Sequence, residues 1–103
     1  MKEELDEEKI FIGSKPLSVY TDILYNKMTF KGKKEMKIVA RGRFISKAVD
    51  VEEIVKNKFL IGNNAIYVDK VILGSKPYKK EVNGKNLDGN VSTIEIVIKK
   101  LEK

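Results

Sequence analysis

Three short stretches of this 103-residue chain gather the residue types that bind anions: Gly13-Ser14-Lys15-Pro16, Arg41-Gly42-Arg43, and a polar segment bearing Lys76, Lys79, Lys80 and Lys85. The first lies just before an expected helix. There a hydroxyl donor, an ammonium and the free N–H groups of a helix N-terminus suit a bound phosphate, with Gly13 permitting close approach. Guanidinium forks match phosphate oxygens in a bidentate way, and the glycine between Arg41 and Arg43 leaves the backbone clear. Lysines on a flexible hairpin can lie along a groove. Taken singly, each stretch is accounted for by solvated charge near a turn. Their joint occurrence in an α/β sandwich, which brings such loops near one another, points to a polyanion.

Charge and composition agree with that chemistry. The formal charge is +6, yet residues 1–8 carry five acids against Lys2 and sum to −4, so residues 9–103 hold +10. A basic body of this kind attracts nucleic acid or an anionic membrane face. Cysteine and histidine are both absent. Disulfides, thiolate nucleophiles, imidazole bases and nearly every zinc site are thereby excluded, and no cofactor or metal is expected. The longest apolar run is Ala65 to Val68, so no segment reads as a membrane span or signal peptide, and a cytoplasmic protein is expected. A peripheral membrane role would need an amphipathic basic helix with an aromatic face, which the sequence lacks.

The elements that must position these residues follow from periodicity. Residues 1–8 form an acidic lead, expected to be flexible, and residues 9–103 a single domain. "KIFIG" reads as a short buried strand. Leu17, Tyr20, Leu24 and Met28 recur at helical spacing and predict a helix over 16–29, with Pro16 in its first turn and Ser14 as cap. "EMKIVARG" alternates Met36, Ile38 and Ala40 with exposed partners, as a strand does. A second helix is predicted over about 44–60. Phe44, Ala48, Val51, Val55 and Phe59 make one apolar stripe, and Ile45, Val49 and Ile54 widen it, which suits a helix shared between the core and a subunit interface. "IYVDKVILGS" and "NVSTIEIVIKK" are β-rich strands, the latter turning Ile94, Ile96 and Ile98 inward. Between them lies a polar excursion over 76–89 with turn pairs Asn83-Gly84 and Asp88-Gly89. The order is β-α-β-α-β-β, an α+β two-layer sandwich with an extended hairpin arm between the last two strands.

The segments "GSKPLSVY", "KIVARGRFISKAVDVEEIVKNKFL" and "NVSTIEIVIKK" closely resemble the archaeal Alba chromatin proteins over about residues 9–100. The undecapeptide at 40–50 departs from the usual Ala-Arg-Gly-Arg-Ala-Ile-Ser-Lys-Ala-Val-Asp pattern only at Phe44. The resemblance implies a sandwich like the C-terminal domain of bacterial translation initiation factor three. It also implies a homodimer that binds double-stranded DNA, and RNA, without catalysis, with the hairpins reaching along the minor groove. A chromosome-associated (nucleoid) location follows. The matching nucleic-acid-binding positions are Lys15, Arg41, Arg43 and Lys47, with the arm supplied by residues 75–90. In the family, side-by-side dimers meet at the end of the second helix, here Asn57, Lys58, Phe59 and Leu60.

Two departures bear on function. Where the family carries two successive lysines, this chain has Ser14 and Lys15, so the acetylation that weakens DNA binding in the family has no lysine at the first position. Asn90 stands where an arginine is usual. Fewer fixed cations release fewer counterions, and weaker generic coating is expected. Asn83, Asn86 and Asn90 could read a minor groove, although turn geometry accounts for them more simply. Tyr78 is the exposed aromatic candidate for stacking. An alternative is an RNA-binding ribonucleoprotein subunit in RNA processing or stability, using the same basic face. Catalysis would need a carboxylate pair or an activated lysine, and Asp50, Glu52 and Glu53 along a helix are read as solvated charge.

Overall fold

The computed structural model describes residues 8–59 and 65–101. Four strands form one sheet in the order β1-β2-β4-β3, with β1 at Lys9–Phe11, β2 at Glu35–Arg41, β3 at Ile66–Val82 and β4 at Lys85–Lys100. Strand β1 pairs parallel with β2, and the other neighbours are antiparallel. The parallel pair requires a crossover. Helix α1, Leu17–Thr29, supplies it. After β2 the chain makes a 3₁₀ turn at Gly42–Phe44, then helix α2 at Ile45–Ile54, then a π-helical turn at Val55–Phe59.

The alternation in β2 and β4 sorts side chains between two faces. Met36, Ile38, Ala40, Ile94, Ile96 and Ile98 turn toward the helices and are almost fully buried, as the sequence pattern requires. Tyr20, Leu24 and Met28 of α1 and Ala48, Val51 and Val55 of α2 close over them to complete the core. Each fully buried aliphatic side chain contributes about 1.5–3 kcal/mol. Both helices thus lie on one face of the sheet, and among the described residues no helix covers the opposite face.

Strand β3 is longer than the helix layer is wide. Val71 and Leu73 pair with Ile96 and Ile94, so they continue the inward rows, yet they are 49% and 74% exposed. A bulge between Val68 and Lys70 sets the face on which they fall. Val49 of α2 is likewise exposed on the helix-bearing side.

The excursion expected at 76–89 is regular ribbon. Strands β3 and β4 stay paired from Ile66↔Lys100 out to Val82↔Lys85, and the turn is at Asn83-Gly84, where both residues have positive φ. Such a two-residue turn matches the twist of the flanking strands. The second expected turn, Asp88-Gly89, is instead inside β4. Gly89 sits opposite Tyr78, and a Cβ there would come within 2.8 Å of the tyrosine ring. The glycine makes room for an aromatic ring across the ribbon. The arm gives the molecule its length, with extents of 56 × 23 × 22 Å.

Candidate nucleic-acid interface

The loop between β1 and α1 is held from two sides. The N–H groups of Gly13 and Lys15 donate to the Tyr20 hydroxyl at 2.9 and 3.2 Å. The Lys47 ammonium donates to the carbonyl oxygens of Gly13, at 2.9 Å, and Lys15. These two N–H groups, which precede the helix, are therefore engaged within the protein. Ser14 makes no cap either: Pro16 occupies the N-cap position without a side-chain hydrogen bond. The loop instead presents the exposed side chains of Ser14 and Lys15 on a rigid base.

Lys47 is the residue that joins this loop to α2. Its ammonium also lies 5.5 Å from the Tyr20 ring centroid and 5.9 Å from that of Phe44. With two of its three protons donated to carbonyls, Lys47 has one left for a phosphate.

The Arg41-Gly42-Arg43 turn is built by its glycine. Gly42 has φ +58, and a Cβ there would lie 3.1 Å from Val91 Cγ2 of β4. Two constraints therefore require glycine: the left-handed backbone and the close approach of β4. Arg41 ends β2 opposite Thr93, and Arg43 stacks its guanidinium over the Phe44 ring at 4.7 Å. Both arginines are exposed. Cation–π contact pre-orients Arg43 while leaving its N–H edge free of the ring.

The base of the arm closes the group. Gly74 pairs with Thr93, the partner of Arg41, and Lys76 pairs with Val91, the neighbour of Gly42. The loop at 13–15, the arginine turn and the root of the arm thus meet at one end of the sheet. Further out, the two-residue period divides the cations. Lys76, Tyr78 and Lys80 share one face of the ribbon with Lys85, whose partner is Val82. Lys79 falls on the other face opposite Asp88, in company with Glu81, Asn86 and Asn90.

The family model for Alba matches residues 8–70. The chain belongs to the Alba family. It is 36% identical over 95 residues to the DNA/RNA-binding protein Alba of Methanothrix thermoacetophila, covering 92% of this chain and 98% of that relative. It is 35% identical over 94 residues to DNA/RNA-binding protein Alba 1 of Archaeoglobus fulgidus, covering 91% and 97%. Among solved structures, Alba from Thermoplasma volcanium superposes with a TM-score of 0.76 at 33% identity, covering 89% of this chain and 99% of its own. The Alba fold expected from the three sequence segments is the fold observed.

At the far end of α2, Lys56 pairs with Glu52 at 3.4 Å and Glu53 at 3.0 Å, and Asn57 donates to Glu53 Oε1. Asn57 and Lys58 are exposed, Phe59 closes the π-helical turn, and Leu60 lies outside the described residues. Glu52 is not the solvated acid expected from the sequence. It is 4% exposed, and burial, the largest cause, pushes its carboxyl up to about 7. Its Oε2 has no hydrogen bond. Among the described residues no acidic group is arranged to hold a metal ion, and no helix is long and apolar enough to cross a membrane.

Proposed function

We propose that the chain is a non-catalytic protein that binds double-stranded DNA, and RNA, as a homodimer and organises the chromosome. The convergence of Lys15, Arg41, Arg43 and Lys76 at one end of the sheet, beside a protruding basic ribbon, is the observation that carries this reading. Arginine and lysine at that end would take the phosphates, and the arm would follow a groove, with affinity set by counterion release. Ser14 contributes a hydroxyl to the same surface, whereas Asn90 presents its amide on the opposite face of the ribbon, beside Lys79. The curated relatives carry DNA/RNA binding in their names, which agrees with this chemistry.

The homodimer is supported by the helix-bearing side of the sheet. Val49, Val71 and Leu73 lie there exposed, and no other described element covers them. A second copy would bury them and set two arms on one assembly. Dimer-to-dimer contacts through Asn57, Lys58 and Phe59 would then set dimers side by side along a duplex.

Removing residues 77–88 tests the arm. The register leaves Gly89-Asn90 as a two-residue link between Lys76 and Val91, so the sheet can close without the ribbon. Affinity for duplex DNA should fall while the dimer persists in light scattering. Unchanged affinity would remove the arm from the binding surface. Measured on structured RNA beside the duplex, the same shortened chain distinguishes a chromosomal protein from a ribonucleoprotein subunit, because the preferred ligand should show the larger loss.

A further inference from the structure

The bare face of the sheet holds a groove that duplex binding leaves unexplained. Its floor is one cross-strand row, in which Phe11 pairs with Val39, Val39 with Glu95 and Glu95 with Ile72. Phe11 and Ile72 are 39% and 46% exposed. Lys9, Arg41 and Lys76 stand around this row, and Glu95 is the single acid among the described lining residues. The groove encloses about 570 Å³, within the range of small-ligand sites.

We propose that this groove is a second nucleic-acid site, which takes an unpaired guanine from a single-stranded segment. The chemistry is specific. An aromatic ring on an open four-stranded sheet offers a stacking platform to a base whose face is free, which a base inside a duplex does not have. Val39 and Ile72 extend that platform, and the cations around it suit the phosphates on either side of the stacked nucleotide. Glu95 lies two strand spacings from Phe11, about 9.6 Å across the sheet. At that distance a base lying over Phe11 and Val39 can turn its Watson–Crick edge to the Glu95 carboxylate. Guanine presents N1–H and N2–H side by side on that edge and satisfies both carboxylate oxygens. Uracil would set a carbonyl oxygen against the same acid. A protein partner fits less well, since the apolar row is narrow and ringed by cations. Arg41 and Lys76 are shared with the duplex surface, whereas Phe11, Ile72 and Glu95 are not, so substitutions at those three separate the two sites.

The test uses the full chain with three labelled probes: an all-uridine oligoribonucleotide, the same oligomer carrying one guanosine, and a blunt DNA duplex. The guanosine oligomer should bind more tightly than the all-uridine one. Phe11→Ala should weaken the guanosine oligomer by roughly 5- to 140-fold, the range for removing one base–aromatic stack, and Phe11→Tyr should retain binding. Glu95→Gln should erase the difference between the two oligomers. Duplex affinity should stay the same in all three variants. Ile72→Glu, on the edge strand, should reproduce the selective loss and replaces Phe11→Ala if circular dichroism shows that variant unfolded. The proposal fails if the unaltered chain does not distinguish the oligomers, or if the substitutions lower oligomer and duplex binding by the same factor. Loss of duplex binding alone would count against the proposed function and leave the groove standing.

Discussion

Gly42 and Glu52 show how single residues on opposite ends of α2 shape the protein. At Gly42, an alanine would meet a left-handed backbone, costing about 1–2 kcal/mol, and would press against Val91 at 3.1 Å. Gly42→Ala should therefore destabilise the fold by about 1–3 kcal/mol, seen as a lower melting temperature of about 4–8 °C per kcal/mol. It should also weaken nucleic-acid binding by displacing Arg41 and Arg43. Glu52 carries a folded pKa raised to about 7, above the ordinary value of 4.5. The native state thus binds more protons than the unfolded chain between those values, and stability falls as pH rises through that window. Glu52→Gln should raise the melting temperature at about pH 8 and give no such gain at about pH 4; an equal effect at both would show that ionisation is not the cause. At this scale the sequence was legible for charge and only partly for placement. Arg41, Gly42 and Arg43 were visible as a turn, but the glycine's reason, contact with Val91, joins positions far apart in the chain. The buried setting of Glu52 was hidden because its neighbours Glu53 and Lys56 read as an ordinary solvated helix face.

The arm is the element on which the proposed function most depends, and its register decides which residues should matter. Lys80 shares a face with Lys76 and Tyr78, whereas Lys79 faces Asp88 and keeps company with Glu81. Lys80→Ala should lower duplex affinity and reduce the salt slope by about 0.9 for each phosphate no longer neutralised. Lys79→Ala should change both much less, since an acid opposite already offsets its charge. Equal losses from the two would mean that both faces of the ribbon touch the ligand. The sequence identified the arm and its Asn83-Gly84 turn through the shared preference of those residues for positive φ. It also suggested a turn at Asp88-Gly89, because local composition cannot show that Gly89 lies opposite Tyr78 and accommodates its ring. The helices were legible for a similar reason that the strands were: apolar spacing marked Leu24, Met28, Ala48, Val51 and Val55, all of them fully buried. The end of α2 was read as continuous helix, and the π-helical turn at Val55–Phe59 left no mark in that spacing.

For the whole molecule, two faces of the sheet lead to two different expectations. The helix layer stops short of β3 and leaves Val71 and Leu73 exposed on its own side, which is the surface assigned to the second protomer. Leu73→Lys, on that surface, should give monomers in light scattering while the fold, read by circular dichroism, remains; a persistent dimer would move the interface elsewhere. The excess apolar surface of α2 was visible in the sequence, and Val49 fits it. The contribution of β3 was not, because alternation alone does not reveal how far a helix layer extends. Chromosome organisation through phosphate contacts is the central claim. It is tested most directly by fluorescence anisotropy titration of one duplex, a shuffled duplex and a structured RNA at several salt concentrations. Equal affinity for the two duplexes, falling steeply as salt rises, is the expected result. A flat salt dependence, or RNA binding that persists in salt where both duplexes are released, would contradict it.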